Sequence, residues 1–97
     1  MPIRQLKISI QLDIEFEEEH IPGAVNIPLD ELRQRYGELR QDKEYFVYCL
    51  GGARSASAAF LLNNQGFRAR SIRGGVNEWT GPLTKGAGGL HAPFTPT

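Results

Sequence analysis

Leu6, Ile8, Ile10, Leu12 and Ile14 alternate with Lys7, Ser9, Gln11 and Asp13. A period of two sends the apolar set to one face of a strand and the polar set to the other, so residues 6–14 are predicted to form a strand with one wet face. The following stretch, HIPGAVNIPLDEL, is broken by Pro22, Gly23 and Pro28. These predict a loop, a short extended piece at 24–27 and a helix start. Pro28 suits a first helical turn, and Asp30 with Glu31 suits the positive end of a helix dipole, so a helix is expected over 29–36, stopping at Gly37. Residues 44–49 read EYFVYC, apolar on both faces, as a central parallel strand would be. Leu50, Gly51 and Gly52 then make a tight loop, and RSASAAFLLNN from Arg54 to Asn64 reads as a helix stopped by Gly66. A shorter strand is predicted over 67–72 with Arg68 and Arg70 outward, followed by a Gly74-Gly75 turn and a short helix ending near Trp79.

Strand, loop and helix alternate, which predicts an α/β domain with a mainly parallel central sheet flanked by helices. After Thr80 the chain becomes rich in glycine and proline. The domain is therefore assigned to 1–79 and an irregular tail to 80–97, with Leu90 and Phe94 as the residues able to pin it.

Composition narrows the class. The chain has 97 residues, 40% hydrophobic and 23% charged, as an ordinary soluble globular domain does. No stretch approaches the roughly 20 apolar residues of a membrane helix. The N-terminus lacks the apolar run and cleavage site of a secretory signal, so a cytoplasmic protein is expected. One cysteine, Cys49, forbids an internal disulfide, and with only two histidines no dedicated metal site and no cofactor are expected. Net charge is zero, but its layout is uneven: residues 1–48 hold ten acids and six bases, whereas 49–97 hold one acid, Glu78, and five bases. Two solvated segments that meet in the fold would account for this. A positive field around Cys49, favouring an anionic substrate, would account for it too. Five bases without interleaved aromatics do not support nucleic-acid binding, and no membrane partner is expected.

Free cysteines are often inert core residues. The surroundings of Cys49 point elsewhere. It ends a strand, where ligands bind in open α/β sheets, and a helix starts within a few residues. The N–H groups at that helix start favour a thiolate over a thiol. Gly51 and Gly52 let successive N–H groups turn inward as an anion-binding nest, with Leu50 and Ala53 as the other loop residues. Arg54 adds a planar cation able to grip an oxyanion, and Ser55 can cap the helix or donate to the loop. Each of these parts favours negative charge at sulfur and an anion beside it.

From about Ile8 to Trp79 the chain resembles the rhodanese-like sulfurtransferases. Cys49, Gly52 and Arg54, followed by Ser55, occupy the places of that family's active loop. Residues 17–28, EEEHIPGAVNIP, resemble its upstream signature, and residues 73–79, RGGVNEW, its closing one. The resemblance implies a rhodanese-like three-layer domain and a sulfurtransferase with Cys49 as nucleophile. A small anionic donor such as thiosulfate would load sulfane sulfur onto Cys49. The persulfide would be held by residues 50–55, Arg54 would orient the donor, and a thiol, cyanide or thioredoxin-like carrier would take the sulfur away. With no second cysteine, the persulfide must pass to another molecule, giving ping-pong kinetics. Cysteine-dependent phosphatases and arsenate reductases share the strand-loop-helix but place one more residue between cysteine and arginine. They also commonly carry a histidine where Tyr48 stands. By the same resemblance, His20 shapes a loop with Gly23, and Trp79 reads as a core anchor.

The chain departs from the family at Ser9, Ile10 and Gln11, which stand where Asp-Val-Arg is usual, and too few residues precede them for the customary first helix. A first helix is therefore expected to be missing, with self-association through the N-terminal strand as one way to cover it. A rhodanese-like binding or regulatory module with little turnover is the alternative function. The acids at Glu15–Glu19 read as a solvated face without partners.

Overall fold

The computed structural model describes residues 5–86. Residues 1–4, on which the expectation of a missing first helix rests, and Leu90 and Phe94 lie outside them. Four parallel strands form one sheet in the order β2-β1-β3-β4: β1 (Gln5–Ser9), β2 (Val25–Asn26), β3 (Glu44–Tyr48) and β4 (Arg68–Ser71). In register, Ile8 lies between Val25 and Val47, and Val47 lies beside Ser71. From β1 the chain goes to one side for β2, then crosses back to place β3 on the other side. The gap between β1 and β3 is therefore the switch point at which open α/β sheets hold their ligands.

Both faces of the sheet are covered, as parallel sheets require. On one face, α2 (Ala53–Asn64) and a 3-10 helix (Leu29–Glu38) pack on Ile8, Tyr45, Val47 and Cys49 through Leu32, Ala58 and Leu62. On the other, α1 (Asp13–Glu18) and α3 (Gly75–Glu78) enclose Phe16, Ile21, Tyr48 and Val76. Alternation along β3 thus sends Val47 and Cys49 to one layer and Tyr48 to the other. No helix among the described residues is long and apolar enough to cross a membrane.

The 3-10 helix runs past Gly37 to Glu38. Three residues per turn stack i on i+3, and Arg35 uses that geometry to bind both carboxylate oxygens of Glu38 at 2.7 and 2.8 Å.

The long N-terminal strand expected from residues 6–14 is corrected. The strand ends at Ser9, and residues 13–18 are helical. Glu15 Oε1 accepts the Leu12 N–H at 2.8 Å, and Asp13 and Glu15 sit in the first turn, where the helix dipole favours acids. Leu12 and Ile14, the last apolar members of the alternation, are exposed. Nor is there a wet face. Ser9 and Gln11 are fully buried and satisfy each other: Ser9 Oγ donates to Gln11 Oε1 at 2.8 Å, and Gln11 Nε2 donates to the Glu19 carbonyl at 3.0 Å. β1 lies inside the sheet, paired with β3 along Gln5–Ser9 and with β2 at Ile8 and Ser9.

Past Trp79 the chain remains irregular to residue 86, but it is fastened. Thr84 and His20 exchange backbone hydrogen bonds of 2.8 and 2.9 Å, and the Gly86 N–H donates to the Glu17 carbonyl at 2.8 Å.

Candidate active site

Cys49 follows the last residue of β3 and is 2% exposed. The turn that follows needs Gly52, whose φ of 108° is costly for any residue with a Cβ. The Gly52 N–H donates to Cys49 Sγ at 3.0 Å, and the buried Ser55 hydroxyl lies 3.6 Å from the sulfur. Burial is the largest influence on the thiol and pushes it up. The Ser55 N–H and hydroxyl, with the N–H groups of Gly52 and Arg54, outweigh burial and bring the Cys49 thiol below its ordinary value.

The start of the loop is held from behind through its first two carbonyls. The Cys49 carbonyl accepts from Val76 N and the Leu50 carbonyl from Asn77 N, both at 3.0 Å. The first turn of α3 thus donates its otherwise unpaired N–H groups to the back of the loop. Such backbone-to-backbone approach leaves no space for a side chain. A Cβ on Gly75 would run into the Cys49 carbonyl oxygen, whereas one on Gly52 would meet Gly74 N at an ordinary contact distance of 3.5 Å, so Gly52 is demanded by its φ alone. The Gly-Gly pair of the closing signature therefore belongs to the site as its buttress. A glycine pair demanding close backbone approach was the signal for it in the sequence; which backbone approached was not.

Residues 50–55 of the loop occupy different surroundings. Leu50 packs with Tyr48 and Val76 on the α3 side, Gly51 and Ala53 are exposed, and Ser55 is fully buried under the sulfur. Arg54 differs from expectation in its company. Its Nη2 donates to Glu15 at 3.0 and 3.3 Å, which fastens α1 to α2. The acids at 15–19 are thus not all a partnerless solvated face: Glu15 answers the active-loop arginine. Nε and Nη1 of Arg54 make no protein hydrogen bond among the described residues, and the side chain is about a third exposed. A cleft of about 330 Å³ beside the loop is lined by Ile10, Leu12, Leu29, Asp30 and Arg54.

Ser71, which sequence reasoning passed over, reaches the site from the end of β4, its Oγ 2.7 Å from Ser55 Oγ. Nothing along the chain marked it, because it is brought there by the β3–β4 pairing. His20 is structural. It is 3% exposed, stacks on Phe16 with centroids 3.7 Å apart, and its Nδ1 donates to the Phe16 carbonyl at 2.7 Å. Trp79 packs against the cluster of Phe16, Tyr48 and Val76 and donates to the Pro82 carbonyl at 3.2 Å.

Residues 8–82 match the rhodanese-like domain. YrkF of Bacillus subtilis, named a putative sulfur carrier protein, is 41% identical over 68 residues, covering 69% of this chain and 37% of that protein. The thiosulfate sulfurtransferase PspE of Escherichia coli is 32% identical over 81 residues, covering 81% of this chain and 78% of that one. A rhodanese-related protein from Thermoplasma volcanium has a crystal structure that matches with TM-score 0.79 at 30% identity, covering 82% of this chain and 83% of that one. The chain spans little more than a third of the first relative's length. With a family match running from Ile8 to Pro82 and the parallel sheet, loop and buttress described above, the chain belongs to the rhodanese-like domain family.

Proposed function

We propose that the protein is a sulfurtransferase that carries sulfane sulfur on Cys49. The observation that best supports this reading is the set of donors around one sulfur: the Gly52 N–H at 3.0 Å, the Ser55 hydroxyl at 3.6 Å and the neighbouring loop N–H groups. Such a ring favours a sulfur anion, whether thiolate or persulfide. With thiosulfate as donor, the Cys49 thiolate attacks the outer sulfur. A Cys49–sulfur bond forms, the donor's own sulfur–sulfur bond breaks, and sulfite leaves with the electron pair. An organic persulfide would deliver sulfur in the same way and lose a thiolate. A thiolate or cyanide then attacks the terminal sulfur, and Cys49 departs as thiolate.

Arg54, anchored by Glu15, presents its remaining N–H groups to the anionic donor, and the adjoining cleft gives room for the rest of that molecule. The acceptor class is a small thiol, cyanide or a thioredoxin-like sulfur-carrying protein. A lone thiol kept for sulfur transfer suits the reducing cytoplasm.

The test is thiocyanate formation from thiosulfate and cyanide, measured beside Cys49→Ser. The proposal expects turnover that the serine variant lacks, and equal background rates would end it. The ion pair with Glu15, which takes up part of the Arg54 charge, favours a second reading as a binding module with little turnover. That reading expects one sulfur to load onto Cys49 without sustained thiocyanate production.

A further inference from the structure

The two hydroxyls beneath Cys49 can be assigned by counting hydrogens. Ser55 Oγ has one hydrogen and three neighbours: the Gly52 carbonyl at 3.0 Å, Ser71 Oγ at 2.7 Å and Cys49 Sγ at 3.6 Å. A carbonyl only accepts, so while Cys49 is a thiol the Ser55 hydrogen goes to Gly52 and the S–H donates to Ser55 Oγ. Ser71 must then be the donor across the 2.7 Å contact.

Loss of the Cys49 proton changes the account. The sulfur anion now needs a donor, and the Ser55 hydrogen can turn to it at small cost, because the Gly52 carbonyl still accepts Ala56 N at 3.1 Å. Ser55 Oγ has by then lost the S–H donor. It is fully buried, so no water replaces that bond, and its lone pairs depend on Ser71. With Cys49 as a thiol, Ser55 is satisfied with or without Ser71; with Cys49 as an anion, it is satisfied only with Ser71. Ser71 is exposed to solvent and can meet its own acceptor needs there.

We propose that Ser71 is a positioning residue for Cys49, donating to Ser55 so that the Ser55 hydrogen can turn onto the sulfur anion. The role reaches the sulfur entirely through Ser55, and it extends the reading of Cys49 as a sulfur-carrying nucleophile, on which its functional meaning rests. Among the charged or titratable groups on the elements around Cys49 are Lys7 on β1, Tyr48 on β3, Arg54 on α2 with Glu15 on α1, Asp30 on the 3-10 helix, Glu78 on α3 and Arg70 on β4. None is changed in the test.

The experiment is the pH dependence of Cys49 alkylation by iodoacetamide, which reads thiolate whether or not the protein transfers sulfur. Failure here and failure of the sulfurtransferase reading are therefore separable. Ser71→Ala is expected to raise the midpoint by about half to one pH unit, the size of one neutral hydrogen bond's net contribution. Ser71→Thr, which restores a hydroxyl, is expected to return it toward the parent value. In a Ser55→Ala background, Ser71→Ala is expected to add nothing. A parent-like midpoint in Ser71→Ala, or the same increment with Ser55 absent, would overturn the proposal.

Discussion

Gly75→Ala tests whether the close approach of α3 shapes the loop that holds Cys49. Two costs arise. Gly75 has a φ of 53°, a left-handed conformation that costs a residue with a Cβ roughly 1–2 kcal/mol. The added methyl also collides with the Cys49 carbonyl oxygen and would lie 2.7 Å from that of Leu50, both of them backbone atoms with little freedom to move. Relief requires α3 to withdraw, which breaks the bonds from Val76 N and Asn77 N, at roughly 0.5–1.5 kcal/mol net each. The total is about 2–5 kcal/mol. In a domain of this size each kcal/mol moves Tm by roughly 4–8 °C, so a drop of roughly 8–40 °C is expected by calorimetry. Gly23→Ala is the control. Gly23 has a φ of 84° with nothing within 4 Å of the added atom, so it carries only the conformational cost. The released carbonyls should also let the loop N–H groups turn away from sulfur and raise the alkylation midpoint of Cys49. Gly75→Ala melting no lower than Gly23→Ala would refute the buttress.

Other outcomes follow from the same contacts. Glu15→Gln keeps an acceptor for the Leu12 N–H but removes the negative charge paired with Arg54, so KM for thiosulfate in the thiocyanate assay should fall by roughly two- to fivefold, the range for a partly exposed ion pair; an unchanged or higher KM would mean that Glu15 serves only to place Arg54. The depressed Cys49 thiol also bears on stability. Its folded-state pKa lies below the ordinary 9.0, so its ionisation stabilises the fold fully above 9.0, and that contribution is lost as pH falls through the folded value. Denaturant melts of the parent and Cys49→Ala should therefore diverge with rising pH in favour of the parent. Parallel curves would contradict the depressed thiol. Leu62→Ala, fully buried under the sheet beside Val47, should cost about 2–5 kcal/mol in the same melts, and a smaller loss would mean a looser core than described.

What the chain disclosed on inspection was local. The both-sided apolar run ending at Cys49, the glycines after it and the helix formers from Arg54 onward define β3, the loop and α2 within a residue or so, since strand period, turn chemistry and helix propensity act over short spans. The alternation at residues 6–14 misled, because the same positions carry a helix start at Leu12 and because Ser9 and Gln11, though polar, satisfy each other in the core. The remaining parts of the site arrive from other segments. Glu15 reaches Arg54 from 39 residues away, Ser71 reaches Ser55 across the sheet, and the α3 N–H groups reach the loop carbonyls. Pairings of that kind depend on how elements pack, and no periodicity along the chain encodes them.

The central claim is that the loop makes Cys49 a carrier of sulfane sulfur, and intact-protein mass spectrometry after thiosulfate treatment addresses it most directly. A gain of one sulfur atom is expected, located on Cys49, absent from Cys49→Ser and removed by cyanide as thiocyanate appears. No added sulfur on the parent protein, or the same gain in the serine variant, would contradict it.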